Sequence, residues 1–103
     1  MGVVMTELGL WVKMGVGRLT ALSLELECSK QNVAQLVLSA SNKDPLAISK
    51  AIENIEAREK RQNRCCKNNV LGAAKYTQHK NEQVRKKAQF ELIRWSEYYA
   101  ITR

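Results

Sequence analysis

The sequence predicts an all-α fold of about five helices, ending in a long amphipathic one. Three observations predict it. Apolar side chains recur at separations of three and four along most of the chain, the spacing that lines one face of a helix. Five glycines and one proline in 103 residues supply too little turn chemistry for a many-stranded sandwich or barrel, which needs a turn about every 8–12 residues. A composition of 45% apolar and 26% charged residues is that of a globular chain rather than a disordered one, so there is apolar surface for the helices to bury. At this length one core is expected, because two would each be too small to hold.

The first helix is predicted over residues 3–14, with Val4, Leu8, Trp11 and Val12 on one side, and Gly15 and Gly17 end it. A second runs over 18–27 with Leu19, Leu22 and Leu26 in one stripe and stops at Cys28. Ser29 restarts the chain as an N-cap for a third helix over 30–39, whose Val33, Leu36 and Val37 share a face. A polar break at Ser41-Asn42-Lys43 follows, then Asp44 as N-cap and Pro45 as the first residue of a fourth helix carrying Ile48, Ala51, Ile52 and Ile55. Residues 56–69 are almost wholly polar apart from Cys65 and Cys66, and read as a helix extension or a linker. After a short apolar patch at Val70, Leu71, Ala74 and Tyr76, the last helix over 81–101 aligns Val84, Ala88, Leu92, Trp95 and Tyr99, with Arg85, Lys86, Lys87 and Arg94 on its other side.

Charge is unevenly placed. Residues 1–56 carry five basic and six acidic side chains, a net of −1, whereas residues 57–103 carry twelve basic and four acidic, a net of +8. Such a patch can anchor nucleic acid by counterion release, independently of base sequence, or it can be a solvated helical surface. The expected phosphate contacts are Lys43, Arg58, Lys60, Arg61, Arg64, Arg85, Lys86 and Lys87. The stripe of Val84, Ala88, Leu92, Trp95 and Tyr99 holds more apolar surface than a short domain needs, and is expected to close a homodimer.

Several function classes are disfavoured. No run of about 18 uncharged apolar residues exists, and no basic leader precedes an apolar core, so neither a membrane span nor a secretory signal is expected and the expected compartment is the cytoplasm. Three cysteines, two of them adjacent, make a poor disulfide framework, and a single histidine with no cysteine pair at ligand spacing makes a poor zinc site. No glycine-rich phosphate loop and no nucleophile beside a base are present, so no catalysis, cofactor or small-molecule substrate is expected.

The informative constellation is the second and third helices with the tight turn between them. Ser29, Lys30, Gln31, Asn32 and Gln35 place short polar and basic groups at the start of one helix, and these are the side chains that read base edges in the major groove: Gln and Asn pair bidentately with adenine, Lys with guanine. Residues 18–55 resemble the helix-turn-helix domain of the phage Cro and repressor family. Leu22 and Leu26 resemble the family's aliphatic positions in the first helix, Ser23 the small residue at the helix crossing, Cys28 the small apolar residue after the turn, and Val33 and Leu36 the buried pair of the recognition helix. The loop Asn42-Lys43-Asp44-Pro45 and the helix from Leu46 to Ile55 resemble the next element. The family's turn glycine, usually left-handed, is replaced by Glu27, which costs on the order of 1 kcal/mol unless the turn takes another form.

The resemblance implies a sequence-specific DNA-binding regulator of phage or mobile-element type, dimeric on double-stranded DNA. Residues 1–56 would be its reading region and residues 57–103 a basic helical extension within one compact unit. The rival reading is a basic helical adaptor or inhibitor that binds an acidic protein or RNA and reads no sequence.

Overall fold

The computed structural model describes residues 6–38 and 45–102. Among them are six α-helices and no strand: α1 (Glu7–Lys13), α2 (Arg18–Glu25), α3 (Lys30–Leu38), α4 (Pro45–Lys60), α5 (Asn63–Tyr76) and α6 (Glu82–Thr102). The expected Val4 contact, the helix end at Ser39, the break at 41–43, the N-cap at Asp44, the phosphate contact at Lys43 and the side chains of Leu36, Val37 and Ile101 lie outside what is described.

Local chemistry accounts for most of the boundaries. Thr6 caps α1, its Oγ1 accepting from the Gly9 amide at 2.9 Å. Gly17 takes a left-handed φ of 73° as α2 begins, a conformation that a side chain would oppose. Pro45 opens α4 from the first helical position, where its missing N–H costs nothing. Asn81 caps α6, its Oδ1 accepting from the amides of Gln83 and Val84.

The count of helices departs from the expected five because the polar stretch over 56–69 is neither a linker nor one extension. α4 continues to Lys60, the chain turns at Arg61 and extended Gln62, and α5 starts at Asn63. The turn is closed by the Arg61 amide donating to the Arg58 carbonyl and the Gln62 amide to that of Glu59, at 3.2 and 3.1 Å.

Among the described residues two apolar clusters form the core, and α1 with its C-cap Met14 contributes to both. Trp11 packs with Leu22, Val33, Ala51 and Ile55, joining α1 to α2, α3 and α4. Leu10 and Met14, on the other side of α1, pack with Ala73 and Val84, joining it to the hairpin of α5 and α6. At Gly72, α5 approaches the C-terminal end of α1 so closely that a Cβ would run into the Met14 carbonyl.

Between the clusters lies a polar core. Arg18 is 2% exposed, and its guanidinium makes a two-pronged pair with Glu59 at 2.8 and 3.1 Å, donates to the Trp11 carbonyl at 2.7 Å and lies 4.4 Å from the Trp11 ring centroid. Asn69 completes the carboxylate's shell, donating to Glu59 at 3.1 Å. Cys66 is buried beside it with its thiol on the Glu59 carbonyl, whereas its neighbour Cys65 is half-exposed.

A second polar group ties α1, α4 and α6 together. Glu56 accepts from the Trp11 indole at 2.8 Å and from both terminal nitrogens of Arg94 at 2.9 and 3.2 Å, while Glu91 accepts from Arg94 and from the Trp95 indole. Arg94 therefore points inward, not toward the outer basic face assigned to it from its spacing. Burial works against both charges. The guanidinium and indole hydrogen bonds outweigh it at Glu56, whose carboxyl is held below its ordinary value of 4.5, and the two carboxylates outweigh it at Arg94, whose pKa is raised. Because the folded form of Glu56 binds its proton more weakly than the unfolded form, its contribution to stability is complete above the unfolded carboxylate value and lost as pH falls through the folded one. Glu56→Gln is accordingly expected to show a smaller drop in Tm than the parent between about pH 6 and about pH 3. Parallel drops in the two proteins would show that Glu56 is not held in this way.

The stripe of Val84, Ala88 and Trp95 faces inward as well. All three are buried against the chain's own core, Leu92 packs on the second cluster and Tyr99 is half-buried. The residues expected to close a dimer are spent within one molecule, because α5 supplies the surface that covers them.

Candidate nucleic-acid interface

The α2–α3 turn is built by short polar side chains. Cys28 donates its amide to the Ser23 carbonyl at 3.1 Å, and the Ser23 hydroxyl donates to the Cys28 carbonyl at 2.6 Å, so one serine closes the turn from both directions. Glu27 sits between them at φ 52°, the left-handed conformation. The turn thus keeps the backbone form that favours glycine and accepts the cost of a side chain there, on the order of 1 kcal/mol.

Ser29 then caps α3. Its carbonyl accepts from the Val33 amide at 3.1 Å and its Oγ from the Asn32 amide at 3.2 Å, the third helical position, which is where an N-cap side chain reaches. With the start fixed, helical geometry assigns the faces. Val33 is fully buried in the first cluster, and Ser29, Lys30, Gln31, Asn32 and Gln35 are exposed. All five expected base-reading residues are therefore exposed around the start of one helix, with Gln31, Asn32 and Gln35 within about 100° of one another on its surface.

The expected phosphate contacts divide into two groups. Arg58 is committed to Glu25 at 3.0 Å, Lys60 lies half-buried with its ammonium 4.8 Å from the Tyr98 ring centroid, and Arg85 donates to the carbonyls of His79 and Lys80 in the α5–α6 turn. Lys86 and Lys87 pair with Glu82 and Glu91 one turn away on their own helix. Arg61 and Arg64, at and just after the α4–α5 turn, are exposed, and no carboxylate among the described residues pairs with either. Of the expected contacts that are described, Arg58, Lys86 and Lys87 are therefore ion-paired within the chain, while Lys67, Lys75 and Lys80, not among those expected, are exposed with no ion pair among the described residues.

A groove of about 510 Å³ between α1, α4 and α6 has Glu56, Glu91 and Arg94 in its wall, and these are already joined to one another and to two indoles. No group of three or more metal-ligating side chains is found among the described residues, and no described helix is long and apolar enough to cross a membrane.

Among the described residues Arg18, Glu59, Asn69 and Glu91 are polar and buried, and sequence reasoning singled out none of them; for Glu59 and Asn69 the stripes are instructive. A signal was available: Ile52, Ile55 and Glu59 continue one stripe at three and four residues, and so do Cys66, Asn69 and Ala73, so the spacing marks both polar residues as core positions. Comparison with known proteins gives no matching family model, no similar curated protein and no similar solved structure.

Proposed function

We propose that this chain is a sequence-specific DNA-binding regulator that reads base edges in the major groove with the start of α3, as in a helix-turn-helix. One observation carries the reading: the capped start of α3 exposes Lys30, Gln31, Asn32 and Gln35 together while Val33 among them is anchored in the core. A rigid helix start with several readers on its outer side suits the bidentate pairing that base recognition uses. The left-handed turn at Glu27 supports it too, since the residue-level likeness to the phage Cro and repressor family requires that conformation at that position. In this reading the chain has no catalytic role, and two copies meet two half-sites of a duplex.

Selection of bound duplexes from a random pool is expected to return one preferred sequence. Gln31→Ala and Gln35→Ala should each cost about 1–3 kcal/mol on that sequence and relax the preference at the bases they face. Variants that still separate preferred from scrambled duplexes as well as the parent would remove α3 as the reader.

A second reading, a basic adaptor for an acidic protein or RNA, is supported by the exposed cations Arg61, Arg64, Lys67, Lys75 and Lys80, which belong to α5 and its flanking turns and not to the helix that would read bases. The salt dependence of binding separates the two. If Arg61 and Arg64 each neutralise a phosphate, replacing both with alanine should flatten the slope of log affinity for duplex against log salt by up to about 1.8, equally for specific and scrambled DNA. An unchanged slope assigns that turn to solvent or to a protein partner.

A further inference from the structure

We propose that the outer face of α6 is a seam through which two copies of this chain pair antiparallel about a two-fold axis. Lys86, Phe90, Ile93 and Glu97 follow one another at four, three and four residues, which places them within a stripe ~60° wide on a helix of 3.6 residues per turn. All four are exposed, and Phe90 and Ile93 remain 60% and 64% accessible although the inward side of the same helix is fully packed. An alternating four-three spacing with apolar residues at its centre is the pattern of a helix–helix seam, and no described residue of the single chain covers this one.

The order of charges along the stripe identifies the occupant. A cation stands at its N-terminal end, two apolar side chains in the middle and a carboxylate at its C-terminal end. A second copy laid antiparallel, with the two-fold axis midway between Glu91 and Leu92, sets Phe90 against the partner's Ile93 and Lys86 against the partner's Glu97, each contact occurring twice by symmetry. A parallel copy would oppose like charges. Balanced charge and an apolar centre also make this stripe a poor match for phosphate or for an acidic partner. Within one molecule Lys86 pairs with Glu82 at 3.4 Å, but both side chains are solvated and such a pair resists exchange only weakly. The seam deepens the proposed function by supplying the pairing that two half-sites need, and its test is made without DNA so that either can fail alone.

Sedimentation equilibrium of the full chain from about 5 to about 500 µM is expected to show a monomer–dimer equilibrium. Phe90→Ser with Ile93→Ser changes only exposed positions, so the helical circular dichroism should persist while dimerisation weakens at least about tenfold. Lys86→Glu and Glu97→Lys should each weaken it about fivefold by opposing like charges, and the double exchange should restore it. The exchange cannot act within one chain, since Glu97→Lys does nothing to relieve the new repulsion between positions 82 and 86. A monomer at every concentration, or a dimer indifferent to Phe90 and Ile93, overturns the seam. A double exchange no stronger than the single changes overturns its antiparallel register.

Discussion

Arg18→Ala is expected to lower the unfolding free energy by about 3–5 kcal/mol, enough to leave the fold marginal, since a domain of this size has only about 5–15 kcal/mol in all. Arg18 and Glu59 are both buried, and the guanidinium is what balances the carboxylate. With Arg18 gone, Glu59 keeps one donor from a side chain, Asn69, and stays a charge in an interior it was never desolvated to occupy alone. The cation above the Trp11 ring and the donor to the Trp11 carbonyl are lost at the same time. Replacing both members by methionine removes the charges together and fills similar volume, so Arg18→Met with Glu59→Met should lose far less than Arg18→Ala. Urea unfolding monitored by helical circular dichroism measures all of these. A loss below about 1 kcal/mol for Arg18→Ala would mean that the pair is solvated, against the geometry described.

Trp95→Ala should cost a comparable amount, about 3–5 kcal/mol, for a different reason. The side chain is 1% exposed and is the largest of the fully buried ones, so its removal opens a cavity where α6 meets the polar core. Its indole also donates to Glu91 at 3.0 Å, and its ring lies beside the Arg94 guanidinium and the Tyr98 ring. Trp95→Phe keeps much of the volume and discards the donor, so it should fall between the parent and Trp95→Ala. Equal losses in the two variants would assign the whole effect to the hydrogen bond and none to the cavity.

How much of this was legible beforehand differs from element to element. The start of α3 was, because an N-cap acts within one turn: Ser29 precedes a helix and its hydroxyl reaches an amide three residues on, whatever the rest of the chain does. The exposure of Lys30, Gln31, Asn32 and Gln35 followed from the same local geometry once Val33 was taken as buried. The stretch over 56–69 was not legible, because its polarity was read as exposure. Glu59 and Asn69 are polar and buried together, each made tolerable by the other and by Arg18, which lies 41 residues from Glu59 in the chain. The basic half misled in the opposite sense: Lys86 with Glu82 and Lys87 with Glu91 lie four residues apart on one helix and could be paired by spacing, but Arg58's partner, Glu25 on α2, could not be assigned before the helices were packed.

The sequence by itself determined the all-helical class, the starts of α3 and α4, and the polar character of the α3 surface, since periodicity and capping depend on neighbours within a turn or two. Only the tertiary structure decided which stripe of α6 is core and which is free. Both stripes carry apolar residues at helical spacing, and the choice rests on α5, which is joined to α6 by the five residues 77–81, covers Val84, Ala88 and Trp95, and leaves Phe90 and Ile93 outside. It likewise decided that Arg18 is an interior residue. A charge enters a core only when a counter-charge and enough donors and acceptors meet it there, and that meeting is a property of the packed helices, which no local pattern around Arg18 contains.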